Sequence, residues 1–165
     1  MNESPFPVLD LFVLCESVEF DEQDSVNKLV HPIHSAALEA NPDGSLQAPD
    51  WELYFQLNDE NATGTFHFII EVRDENDQPV QFGRSLPITV VFQSHYLPIT
   101  PFEHVLEVSG LVLPSPGTYH LHMLGCRAGA SSEPEELQEY LSMHDFAGAV
   151  LPAKVRVIRA ELPGA

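Results

Sequence analysis

The chain has 165 residues, 44% of them hydrophobic, and its 25 Asp and Glu against 7 Lys and Arg leave a formal charge of −18. That length buries roughly 70% of the unfolded surface in one domain, residues 1–165, enough to fold without a metal or a disulfide. The charge repels phosphate backbones and anionic membrane surfaces, which argues against nucleic acid and acidic lipid as partners, and no apolar run approaches a membrane span.

Val8 to Cys15 is a short apolar run that reads as a strand, and the polar stretch Glu16 to Lys28 reads as the loop after it. Met1 to Pro7 has no basic region and no small-residue cleavage pattern follows the apolar run, so a bacterial cytoplasm is the expected compartment. Pro32 removes a ladder donor, which leaves Ile33 to Leu38 as the next strand. Asn41-Pro-Asp-Gly-Ser45 collects five turn formers.

Trp51 to Asn58 alternates, with Trp51, Leu53, Phe55 and Leu57 on a core face and Glu52, Tyr54 and Gln56 opposite. Thr65 to Asp74 repeats the alternation with Phe66, Phe68, Ile70 and Val72 inward, and Asp59 to Gly64 reads as a hairpin loop between the two. Asp74 to Pro79 is a further turn, followed by a β-branched strand between Leu86 and His95. His104 to Leu113 and Thr118 to Cys126 are joined by Pro114-Ser-Pro-Gly117, which suits a hairpin, and Tyr119, Leu121 and Met123 point to the core.

Ser132-Glu-Pro-Glu135 has capping-box spacing, with Leu137, Tyr140 and Leu141 on one helical face, so a short helix is predicted inside an insertion at about 127–150. Ala153 to Ala160 closes the chain with Val155 and Val157 inward and Lys154, Arg156 and Arg159 outward. Seven or eight short strands broken by proline and glycine turns predict an all-β fold, an antiparallel two-sheet sandwich with one helix near its C-terminal end.

The order of signals resembles an uncharacterised bacterial family of small immunoglobulin-like β-sandwich domains. The similarity is carried by Leu14-Cys15-Glu16, the Lys28-Leu29 step, the alternating Leu53 to Leu57, and Leu111-Val-Leu-Pro-Ser-Pro-Gly-Thr-Tyr119 before a valine-rich last strand. The resemblance implies an immunoglobulin-like sandwich and no catalytic residues. Two departures stand out: Val30-His31-Pro32 replaces a glycine-rich approach to the second strand, and the insertion from Arg127 to Val150 replaces a tight turn.

His120 and His122 lie two apart on a strand, so both rings leave one face about 7 Å apart, a spacing compatible with one metal ion. The glutamate that would follow in a cupin-like set is missing, with Gly125, Cys126 and Arg127 in its place, and His67 is the candidate third ligand if its strand is adjacent. His31 and His34 flank Pro32 without partner spacing. Acidic loops offer Ca²⁺ ligands: Asp21, Glu22 and Asp24 with Asp59 and Glu60 at one end, and Asp74, Glu75 and Asp77 at the other, without an EF-hand signature.

Cys15 and Cys126 have no metal-ligand spacing and read as packed thiols, a disulfide between them being an open alternative. There is no G-x-S-x-G and no phosphate-binding glycine loop. The expected function is therefore a non-enzymatic binding or scaffold module without catalytic residues or cofactor, engaging a protein partner or a second copy through a sheet edge or face. The alternatives are a metal-dependent small enzyme using His120 and His122, and a calcium-binding sandwich.

Overall fold

The computed structural model describes residues 6–58, 63–86, 88–92, 101–127, 144–145 and 154–161. These residues form thirteen strands: β1 (Val8–Asp21), β2 (Val26–Pro32), β3 (Ser35–Ala40), β4 (Leu46–Gln47), β5 (Trp51–Asn58), β6 (Gly64–Arg73), β7 (Pro79–Arg84), β8 (Ile88–Phe92), β9 (Phe102–Val108), β10 (Val112–Leu113), β11 (Gly117–Arg127), β12 (His144–Asp145) and β13 (Lys154–Arg159). The fold is all-β, and no helix occurs among the described residues. The helix expected over 132–141 lies outside those residues, but within the expected insertion His144 and Asp145 are a strand paired with Leu124 and Gly125.

One sheet has the order β2-β1-β5-β9. The other runs β10-β4-β3-β13-β11-β6-β7, with β8 also on β6 and β12 on β11. Its two ends, β10 and β7, approach one another, so this larger sheet curls toward closure. Seven or eight strands in two plain antiparallel layers were expected; instead one sheet has four strands and the other nine. One pairing is parallel as well, β13 on β3, with Val157 opposite Ala36.

Between the sheets the alternation read from the sequence sets the core. Leu53, Phe55 and Leu57 of β5 and Phe66, Phe68 and Ile70 of β6 are buried in one cluster with Tyr119, Leu121, Met123, Val155 and Val157. Each large apolar side chain withdrawn from water in this way contributes about 1.5–3 kcal/mol. The Arg127 guanidinium lies 5.1 Å over the Phe66 ring and 5.2 Å over Phe6, closing the aromatic end of the cluster.

Three connections differ from the sequence reading. β5 and β6 are consecutive but lie in different sheets, so residues 59–64 do not join a hairpin. Nor does Pro114 to Gly117, since β9 belongs to the four-stranded sheet and β11 to the other, while Val112 and Leu113 pair with β4. In both places an apolar face must be shared between layers, and consecutive strands meet it from opposite sides. The third difference is Glu16 to Lys28, which is a paired ribbon of β1 and β2 rather than a loop. Its turn is held by the Asp21 carboxylate, which accepts from the N–H groups of Gln23 and Asp24 at 2.9 and 3.2 Å, with Ser25 at φ 52°. Pro32 ends β2, the edge strand of its sheet, where a missing donor costs no ladder bond.

Candidate functional site

His120 and His122 do share a face, with ring centroids 6.5 Å apart. The β6 register decides what they meet: His120 lies opposite Arg73, His122 opposite Glu71, and His67 opposite Cys126. His67 is thus four residues along β11 from His122, about 13 Å at strand rise, and cannot complete a metal set with the pair. It is buried, not solvent-facing, and its Nδ1 is 2.9 Å from Thr89 Oγ1. Among the described residues, no group of three or more His, Cys, Asp and Glu is placed to hold a metal ion.

The surroundings of the pair form a charge network instead. Glu71 is 2% exposed and accepts from Arg73 Nε at 2.8 Å and from Arg84 Nε at 2.9 Å. Arg73 also donates to Asp77 Oδ1 at 3.2 Å, and His122 Nε2 lies 3.8 Å from the same oxygen. Burial pushes the Glu71 carboxyl upward, but the hydrogen bonds and charges of Arg84 and Arg73 outweigh it and hold the group below the ordinary carboxylate range. His120 is lowered by burial first, then by Lys154 and His122. With Ile69 and Leu124 also buried here, the face that carries the histidine pair is largely withdrawn from solvent and pairs its charges within the fold.

The acidic loops serve their own turns. The Asp74 carboxylate accepts from the N–H groups of Asn76 and Gln78, Glu75 Oε1 accepts from Thr118 N at 2.8 Å, and Asp21 pairs with Lys28. Asp59 and Glu60 lie outside the described residues. Both cysteines are free thiols: Cys15 is buried in β1 of one sheet and Cys126 half-buried in β11 of the other. Burial, then the Glu52 charge, pushes the Cys15 thiol up, which keeps it protonated and unreactive.

A different arrangement is found at β9. Among the described residues β9 pairs with β5 on one side and with nothing on the other. Its outward face carries Glu103 and Glu107, and the register sets Glu107 directly opposite Glu52, a like-charge pair that costs stability. Glu103 accepts from the Tyr54 hydroxyl and from Asn27 Nδ2, and Glu52 Oε2 accepts from Val18 N at 2.9 Å. These bonds tie the β1–β2 ribbon to the outward face of β5 and β9. They also explain why Tyr54, expected on the solvent side, is buried. Burial pushes the Tyr54 phenol up, reinforced by Glu103, so it remains a donor.

Beside the last residues of β9 a mainly apolar cavity of about 100 Å³ opens between the sheets, lined by Leu106, Val108 and Leu111 on one side and Ile70, Val72 and Leu121 on the other, with Arg84, Ser85, Glu107 and Ser109 also in its wall. Gly83 forms part of its wall, where a Cβ would come within 3.1 Å of Val72 and Val80. A space of this size and lining accepts one aliphatic side chain. Sequence reasoning found the strand but not the edge or the cavity, because both depend on which strands pair. The Glu71 network had a local signal: a carboxylate two residues from apolar Ile69 and two from Arg73 on one strand face.

No family model and no curated protein matches the chain.

Proposed function

We propose that the protein is a non-enzymatic binding or scaffold module for protein partners, built on an immunoglobulin-like strand plan that the larger, curled sheet extends. The observation that carries the binding function is the edge of β9, which no strand among the described residues pairs, beside a mainly apolar cavity. Unpaired N–H and C=O groups along a strand accept a further strand, and a neighbouring pocket selects its side chains.

Two features support the strand plan and, with it, membership of the bacterial family that the sequence resembles. The chain changes sheet between β5 and β6 and again between β9 and β11, as immunoglobulin-like strands B to C and E to F do. The Tyr119 hydroxyl donates to the Ser115 carbonyl at 2.6 Å, the bond of a tyrosine corner.

A second copy is a poor occupant of the edge. Antiparallel pairing of two β9 strands about Val105 would set Glu103 of one against Glu107 of the other, in molecules that each carry a charge of −18. Affinity capture from the native host tests the function, comparing wild type with Val105→Lys/Glu107→Lys, whose melting temperature is checked to be unchanged. Proteins retained by the wild type and lost from the variant are expected. Identical retention by both would overturn the assignment of binding to this edge.

A further inference from the structure

The partner's chemistry can be taken one step further, an inference that rests on the protein-binding function and strand plan proposed above. In the constant-type immunoglobulin plan one sheet has the order A-B-E-D. Here β1, β5 and β9 take the A, B and E positions, and the described residues place no strand in the fourth. The last described strand before β9, β8, pairs instead with β6 in the other sheet, from Gly64 opposite Phe92 to Phe68 opposite Ile88. The cavity between β9 and the end of β7 lies where the inward side chains of that fourth strand would pack.

The charges of the four-stranded sheet are one-sided, and Arg84, which also lines the cavity, is held by Glu71. The four strands β2, β1, β5 and β9 contain Lys28 as their single Lys or Arg, against Asp10, Glu16, Glu19, Asp21, Glu52, Glu103 and Glu107. Lys28 is already paired with Asp21, and the opposed Glu52 and Glu107 have no cation between them in their register row. A strand laid along β9 would put alternate residues on the two faces of the sheet. Its outward residues would meet Glu103 and Glu107, and its inward ones the apolar cavity.

We infer that β9 receives an extended segment of a partner protein in which basic and aliphatic residues alternate, the aliphatic ones entering the cavity and the basic ones neutralising Glu103 and Glu107. The chain itself shows that such a strand fits a sheet of this kind. In β13, Lys154 and Arg156 are exposed while Val155 and Val157 are buried.

The test uses the full chain and two synthetic peptides, one alternating Lys and Val and one alternating Lys and Ser, in a titration at two salt concentrations. Binding of the Lys-Val peptide is expected to weaken with salt and to fall about tenfold or more for Val105→Lys/Glu107→Lys, with Glu107→Lys alone as a milder variant. The Lys-Ser peptide is expected to bind at least tenfold more weakly, because it leaves the cavity unfilled. Equal binding of the two peptides, or binding indifferent to both variants, would overturn the inference by showing a diffuse charge effect. No binding of the Lys-Val peptide would overturn it too. If that happened while host proteins were still lost from the double variant, the partner chemistry would be wrong and the binding edge right; if neither moved, both would fall.

Discussion

The outward faces of the two sheets handle charge in opposite ways. On the larger sheet Glu71 is buried between Arg73 and Arg84, and Arg73 continues the network to Asp77. On the four-stranded sheet Glu52 and Glu107 stand opposite each other with no counter-charge in their row. A chain with seven Lys and Arg has few cations to distribute, and three of them, Arg73, Arg84 and Lys154, lie around the Glu71 and His120 surface. One face thus completes its electrostatics within the fold, and the other leaves carboxylates beside a strand edge that no described strand pairs. The first arrangement is structural; the second is the one on which the proposed basic partner rests.

The contrast is sharpest in the response to neutralising one carboxylate on each face. Glu71→Gln leaves two partly buried guanidinium groups without their shared anion and is expected to cost about 3 kcal/mol, lowering the melting temperature by roughly 10 °C. Equilibrium unfolding in urea would measure it, and a cost no larger than that of Glu107→Gln would break the comparison. The effect has a definite pH dependence. Because the folded-state Glu71 pKa lies below its ordinary value of 4.5, its contribution is complete above that value and is lost as the pH falls through the lowered folded-state pKa. The gap between wild type and Glu71→Gln is therefore expected to close on acidification below about pH 4.5.

Tyr119→Phe comes next. It removes the donor to the Ser115 carbonyl in a buried setting and is expected to cost about 1 kcal/mol. Thermal unfolding would show this, and a neutral result would remove the corner as a stabilising feature. Glu107→Gln, which relieves the like-charge pair with Glu52, is expected to stabilise by a few tenths of a kcal/mol, roughly 0.3. Destabilisation instead would mean that Glu107 has a favourable partner within the fold. The smallest expected effect is at His120, whose lowered pKa makes the unfolded chain the better proton acceptor. Stability gained from keeping this ring neutral is present above pH 6.5 and declines below it, so His120→Gln is expected to flatten the slope of stability against pH between 7.5 and 5.5.

What the sequence made legible follows from the range of each signal. Alternation is local, and it identified the core-facing residues of β5, β6, β11 and β13, but not Tyr54, His67, Ile69, Glu71 and Leu124, which are buried on the opposite faces. Asn41 to Ser45 was equally local: the Gly44 N–H donates to the Asn41 carbonyl at 2.9 Å, with Gly44 at φ 89°. The β1–β2 ribbon was missed because neither of its faces packs into the core, so Glu16 to Asp21 carry no clean apolar face. The histidine pair was placed on the right face, but its company of Glu71, Arg73 and Asp77 comes from the β6 register and the following turn. The edge at β9 was not legible, because it exists only if β8 pairs with β6, a choice between two non-local partners that no local pattern records.

Amide hydrogen exchange along β9, read residue by residue with and without the Lys-Val peptide, tests the open edge most directly. In the free protein the β9 amides that point away from β5 are expected to exchange rapidly while those directed to β5 are protected, and the peptide should protect the first set without altering β2 at the opposite edge. Full protection of every β9 amide in the free protein, or peptide protection appearing on β2 and not on β9, would contradict it.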